Sequence, residues 1–444
     1  MENLNIKPIQ AENRIFILDA LRGFALLGIL LINIPYFGKS YHLNYNLEIL
    51  GEYTGANYWS WWVVNGLFEG TMRAIFSMLF GAGAILLLDR IEKKPLEGIT
   101  AADFYYRRLI WLLLFGMVNA YIFLWVGDIL YTYAICGLFL YPFRKLKAGS
   151  LLIFASIFLS LSILQSTSKM NEPGIKKNKA EAALQLEKQH RKLTETQKDD
   201  LKEWKTFQDE HSIAHYKSEI KESNMTMRSG YPQIFEEISE VNTRIQTKYF
   251  YFELFFDALA FFFLGMGLYR LRFLTGDRSL QEYAAVAFFT YGLGLPLSYW
   301  INRTALNDHF DPSLTWQTFT VNLYQIKRVL LSLGHISLFL LVFKLRIANY
   351  ILYLLSNVGR MAFSNYLMQS IICTLIFNGY GLGLYGYLER YQLYEIVLAV
   401  WVFQIGFSWL WLKYFLYGPF EWLWRSLTYW KIQEFYKGRI GVKG

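Results

Sequence analysis

Charge is scarce in this chain: Asp, Glu, Lys and Arg make up 18% of its 444 residues, against about 25% in soluble domains. Cysteine is nearly absent. Cys136 and Cys373 both lie inside apolar segments, which excludes a disulfide framework or a thiolate metal site. There is no Gly-x-Ser-x-Gly elbow, nucleotide-binding loop or zinc-binding helix motif, so no soluble catalytic signature is present. The first apolar run is too long for a secretory signal and no small-residue cleavage site follows it, so it is expected to remain as a span. The net charge of +9 would suggest nucleic acid in a soluble protein. Here the basic residues cluster beside apolar runs, the pattern of membrane loops, and nucleic acid is not an expected partner.

What is abundant is hydrocarbon and aromatic surface, 54% and 18% of the residues. The expected fold class is all-α, a polytopic helical membrane bundle. About ten runs are long enough to approach the ~20 residues that a ~30 Å core requires: 15–37, 70–90, 105–124, 127–143, 148–166, 250–271, 281–302, 319–343, 359–379 and 393–416. Basic residues fall mainly on connections that a cytoplasmic N-terminus places inside, through Lys7, Arg14, Lys94, Arg439, Lys443 and others. Lys39, Arg303 and Arg390 are left in short outer loops. Both termini are therefore expected in the cytoplasm. Three regions follow: a membrane domain over 1–166, a charged extracytoplasmic insert over 167–248 and a second membrane domain over 249–444. The insert mixes opposite charges at helical spacing, without Pro or Gly over 176–211, which reads as a solvated helix or helical hairpin. His211 and His215 share a helical face at i and i+4 and read as surface residues, not metal ligands.

Ionisable groups inside spans mark function or helix pairing, because placing one in hydrocarbon costs at least ~2.5–3.5 kcal/mol. Asp19, Arg22 and Arg360, with Asn365 and Gln369 one to two turns deeper, fall near the inner face. Asn33, Glu69, Arg73, Asp128, Glu253, Asp257, Lys327 and Arg328 fall in the outer half, where they form either an ion-pair network or a polar cavity. Glu69 with Arg73, and Glu253 with Asp257, are spaced to share a face. The acid pair therefore needs a neighbouring cation or a retained proton. Segments Leu79–Arg90 and Phe263–Arg272 echo one another, each a Gly-x-Gly followed by a basic turn. The echo reads as small residues at helix contacts or as two related halves. Trp422, Trp424, Arg425, Tyr429 and Trp430 read as an interfacial anchoring belt.

Several segments in order, LDALRGFALLGILLINI, FSMLFGAG, RRLIWLLLFG, WVGDILYTYAICG, GRMAFSNYLMQS and GPFEWLWRSLTYW, resemble the YeiB family of bacterial inner-membrane proteins, which ends in a membrane domain of unassigned function. Asp19, Arg22, Gly23 and Asn33 also resemble the first-helix pattern of heparan-alpha-glucosaminide N-acetyltransferase-type enzymes. That resemblance implies transfer of an acyl group from a cytoplasmic thioester donor, acyl coenzyme A, to an extracytoplasmic acceptor. In those enzymes a histidine of the first outer loop is the catalyst. At its spacing this chain has Asn44, with His42 the nearest histidine. The residues accommodate such roles. Arg22, with Arg360 and Asn365 beside it, suits donor phosphates, Asn33 an oxyanion, and His42 a proton from the acceptor, with Asp19 completing the catalytic set.

Two other readings fit the same residues. Ten helices with outward carboxylates suit a transporter or flippase for a small solute or lipid, and the insert suits a noncatalytic scaffold. The expected partners are the lipid bilayer and a small-molecule or lipid substrate, with room for a homo-oligomer.

Overall fold

The computed structural model describes residues 16–93, 99–319 and 321–437. The basic residues Lys7, Arg14, Lys94, Arg439 and Lys443 used in the orientation count lie outside them. The regular elements described are helical, apart from an isolated bridge between Phe415 and Tyr436. Helices satisfy every backbone group internally, as a membrane requires. In chain order they are α1 (Phe16–Gly38), α2 (His42–Tyr45), α3 (Gly55–Val63), α4 (Thr71–Lys93), α5 (Ala101–Tyr121), α6 (Leu130–Leu138), α7 (Ala148–Lys188), α8 (Glu195–Glu210), α9 (Ile213–Met227), α10 (Tyr231–Arg244), α11 (Phe255–Arg270), α12 (Leu280–Asn307), α13 (Pro312–Thr318), α14 (Tyr324–Leu345), α15 (Asn349–Arg360), α16 (Ala362–Phe377), α17 (Arg390–Tyr414) and α18 (Pro419–Tyr429).

Among the described residues seven helical segments are long and apolar enough to cross a membrane: Phe16–Gly38, Gly55–Lys93, Ala148–Lys188, Tyr231–Arg270, Leu280–Asn307, Tyr324–Leu345 and Arg390–Tyr414. The other three expected runs take different forms. Run 105–124 is α5, whose first turns carry Asp103, Arg107 and Arg108. Run 127–143 breaks into the nine-residue α6 and a tight turn at Tyr141–Phe143. Nine residues at ~1.5 Å each cover only about half of a ~30 Å core. Run 359–379 is divided at Met361, where α15 ends and the 16-residue α16 begins.

Within 167–248 the chain is helical. The span at Ala148 continues without a break to Lys188, then folds back through α8, which Thr194 and Gln197 cap reciprocally. Helix α9 reaches the bundle: Arg228 Nε donates to Tyr385 O at 2.7 Å and Gly379 N to Met227 O at 2.9 Å. His211 and His215 do not share a helix. The hydroxyl of Ser212 accepts from His215 N at 3.2 Å and starts α9 afresh, leaving His211 as the last cap of α8.

Glycines set the closest helix crossings. A Cβ on Gly23 would lie 2.0 Å from Leu355 O, and one on Gly359 would lie 1.8 Å from Asp19 O, so α1 and α15 touch backbone to backbone. Gly81 and Gly265 do the same for α4 and α11, at 2.2 Å from Phe262 O and 1.9 Å from Met78 O. The two echoed segments therefore pack against each other, and Asp89 and Arg270 close the pair with two bonds of 2.9 and 3.1 Å. Small residues permit this approach in a membrane, where van der Waals packing drives association.

Candidate functional site

The Gly23–Gly359 crossing has a chemical consequence: it delivers Arg360, the last residue of α15, to the first turn of α1, where Arg22 Nη1 donates to Asp19 Oδ1 at 2.7 Å. Around this point the helix ends of α1, α4, α5, α15 and α18 enclose a cavity of about 310 Å³. Five arginines line it: Arg22, Arg90, Arg108, Arg360 and Arg425. Among the described residues only two carboxylates line it with them, Asp19 and Glu421, and both are engaged. Asp19 holds Arg22. Glu421 caps α16 from another helix, accepting from Phe363 N at 2.7 Å, Ser364 N at 3.0 Å and the Ser364 hydroxyl. Arg108 lies flat over Trp424 at 3.6 Å and Arg425 over Tyr417 at 4.4 Å. Arg360 Nε and Arg425 Nε and Nη2 are buried with no protein acceptor. Surplus guanidinium with unused donors suits a multiply charged anion, phosphate above all.

Further in, the walls become hydrocarbon and aromatic. The lining of α4 runs from Arg90 to Phe76, fourteen residues or about 21 Å along the axis. At the inner end stand Phe76, Leu112, Leu130, Tyr133 and Tyr366. Both tyrosine hydroxyls are occupied elsewhere: Tyr133 shares a 2.6 Å bond with Ser77, and Tyr366 accepts from Ile129 N at 3.0 Å and donates to Asp128 at 3.3 Å.

The outer-half residues divide into three groups. Asp257, Arg328 and Gln325 form a buried knot: Arg328 Nη1 donates to Asp257 and, at 2.8 Å, to Gln325 Oε1, while Arg328 Nε donates to Gly70 O at 3.0 Å. Lys327, also buried, faces Glu69 at 3.4 Å, and Tyr324 donates to Glu69 at 2.9 Å. Arg73, 3.8 Å from Asp257, keeps 38% of its side chain accessible although it sits amid the helices. Tyr45, hydrogen bonded to Tyr36 on α1, is 46% exposed. Tyr36 lies within electrostatic reach of both Glu69 and Arg73. Arg73 is therefore partly accessible, three residues along α4 from Phe76.

Glu253 stands apart from Asp257 and pairs with Lys169 on α7. The expected shared face fails because Ile245–Leu254 is a π-helix, whose wider turn alters the i, i+4 relation that an α-helix would give. Asp128 accepts from Asn119 Nδ2 at 2.8 Å and Tyr131 N at 2.9 Å, fixing the start of α6. Asn365 does not line the cavity. It is fully buried, donating to Val358 O and Ser408 Oγ at 3.2 and 2.9 Å, and serves the α16–α17 contact.

At the end of the bundle opposite Asp19, Arg390 clamps the loop after α1 by donating to Leu43 O, Asn44 O and, at 2.7 Å, Glu52. His42 in that loop meets Glu219 of α9 at 2.7 Å and is flanked by the rings of Tyr41 and Tyr216. Burial lowers the His42 pKa from the usual imidazole value, against the upward pull of Glu219. Asn44 is buried beside it with both amide atoms unpartnered. Asn33 is half-buried on α1.

Sequence reasoning missed Arg108, Trp424, Arg425, Glu421 and Glu219. The first was visible only as a topology charge and the next two as an interfacial belt. Nothing in the sequence joins Glu421 to Ser364 or Glu219 to His42.

These features define a multi-pass helical membrane protein. Residues 14–187 match the family model described as heparan-alpha-glucosaminide N-acetyltransferase, catalytic, and residues 268–431 match that of a protein of unknown function, DUF418. Each matched stretch supplies arginines to the one cavity. The chain belongs to the YeiB-like DUF418 family. It is 32% identical over 96% of both chains to the uncharacterized protein YxaH of Bacillus subtilis. It is also 28% identical to the uncharacterized protein YeiB of Escherichia coli, over 93% of this chain and 95% of that one. No solved structure matches.

Proposed function

We propose that the protein is a membrane acyltransferase whose donor is a phosphorylated thioester, acyl coenzyme A, held in the arginine-lined cavity, with its acceptor at the His42 end. In this reading the Asp19 end faces the cytoplasm of a bacterial inner membrane. The observation that carries it is the excess of guanidinium over free carboxylate at the mouth of a cavity whose interior is apolar. Phosphates meet Arg22, Arg360, Arg425 and Arg108, and Asp19 keeps Arg22 extended toward them. An acceptor hydroxyl or amine attacks the thioester carbonyl, forming the new ester or amide bond and breaking the carbon–sulfur bond. The acceptor proton passes to His42 and from it to the leaving thiolate, which departs as the thiol, and Asn33 donates to the developing oxyanion.

The test is ligand-dependent thermal stabilisation of the purified protein. Coenzyme A and acetyl coenzyme A are expected to raise the melting temperature of the wild type, and Arg360→Gln is expected to remove the shift. No stabilisation of the wild type overturns the donor site. Undiminished acyl transfer by His42→Ala and Asn33→Ala variants overturns their assigned roles.

A further inference from the structure

The inner end of the cavity is built as a stop. Tyr133 closes it from α6, with its ring 6.0 Å from Phe76, 5.0 Å from Phe80 and 5.0 Å from Phe262. The ring cannot swing freely, because its hydroxyl is tied to Ser77 on α4 and the residue is 3% exposed. Gly137, one turn further along α6, allows close approach: a Cβ there would lie 2.9 Å from Leu109 and 3.4 Å from Phe80. The stop is therefore fixed by packing on three helices. Beyond it lie polar groups, Arg73 and Asp257, which have electrostatic contact with Tyr133 and offer a hydrocarbon chain nothing. At about 310 Å³ the cavity is also near the small end of ligand sites.

We propose that Tyr133 sets the length of the acyl group the protein accepts, admitting short chains and rejecting long ones. This rests on the reading of the cavity as the donor site. Tyr133 is a specificity-determining residue here, because its hydroxyl is committed to Ser77 and only its ring meets the acyl terminus. Replacing the ring by a small side chain opens the space it fills among Phe76, Phe80 and Phe262, and each methylene of the donor that enters it gains burial that the wild type denies it.

The experiment measures the affinity of full-length protein in lipid nanodiscs for acetyl, hexanoyl and decanoyl coenzyme A. In the wild type, affinity is expected not to rise from hexanoyl to decanoyl. Tyr133→Ala is expected to favour the longer chain by on the order of tenfold, the worth of about two newly buried methylenes. Tyr133→Phe, which keeps the ring and loses the hydroxyl, is expected to retain the wild-type ranking. The wild-type series stands alone if a variant fails to fold: affinity climbing steadily through decanoyl overturns the stop. A folded Tyr133→Ala protein that binds acetyl coenzyme A normally and ranks the three as the wild type does also overturns it, while leaving the donor site intact. If the wild type binds none of the three, the donor reading itself falls.

Discussion

Two sets of buried charge, near Arg90 and near Arg73 and so about 25 Å apart along α4, are built in opposite ways. Around Asp257 the acid has more partners than it needs: Arg328 and Gln325 bond to it, Arg73 stands at 3.8 Å, and Arg328 is fully enclosed. Lys327 likewise stands 3.4 Å from Glu69. Unpartnered guanidinium nitrogens occur in both sets, Arg73 Nε and Arg328 Nη2 in one and Arg360 Nε with Arg425 Nε and Nη2 in the other, but at the Asp19 end Arg108, Arg360 and Arg425 form no ion pair among the described residues. Cations that each reach an acid hold helices together, whereas cations without one at the mouth of a cavity suit something that is not protein. The cost of burying charge is the same in both places, and only the supply of counter-charge differs.

The largest effect that tests this contrast is loss of the balancing acid. Asp257→Ala strands two guanidinium groups and is expected to destabilise the protein by about 3–5 kcal/mol, read as a lowered melting temperature in detergent. Asp19→Ala, in a partly exposed pair on one helix, is expected to cost no more than about 1 kcal/mol. Arg425→Gln is expected to leave melting unchanged and to weaken coenzyme A binding by about 1.5–3 kcal/mol, the worth of a charged hydrogen bond. A melting loss as large as that of Asp257→Ala would make the mouth structural after all.

The glycines give the same contrast at smaller scale. Gly23→Ala puts a methyl on Leu355 O and is expected to cost about 1–3 kcal/mol by overpacking, with Arg360 displaced from Asp19. The lining residue Gly83 has open space where a Cβ would stand. Gly83→Ala is expected to be neutral or to stabilise by up to ~1 kcal/mol through helix propensity.

At the opposite end, pH separates docking from chemistry. Neutral His42 reacts with diethyl pyrocarbonate, so labelling followed by mass spectrometry is expected to rise with pH through a midpoint below the usual ~6.5. His211 and His215 also face this site and lower the His42 pKa, while Glu219 raises it. Glu219→Gln removes the anion that favours the protonated ring, so the midpoint is expected to move lower still. An unchanged midpoint would mean that Glu219 serves only to seat α9.

Much of the scaffold was legible because a membrane imposes one rule, long apolar helices, on every span. Asp19, Arg22 and Arg360 were legible as a group from depth alone. Depth misleads where a helix is not regular: the π-helix at Ile245–Leu254 separates Glu253 from Asp257, and the break at Met361 divides a run that reads as continuous. The arginines of the cavity mouth were hidden because a basic residue at a span end has two physical uses, setting orientation and binding an anion, and only tertiary placement tells them apart. Asn365 illustrates the reverse case, a polar residue at the expected depth that packing turned toward Ser408.

The cap that Glu421 places on α16 makes the tail of the chain a wall of the chamber built mostly by its beginning. Reporter proteins fused to progressively shortened versions, the customary way to map which side each loop occupies, would amputate Glu421, Trp424 and Arg425 in every fusion made upstream of them. The start of α16 would then lose its anion. Orientation is therefore better probed with single introduced cysteines in the intact chain.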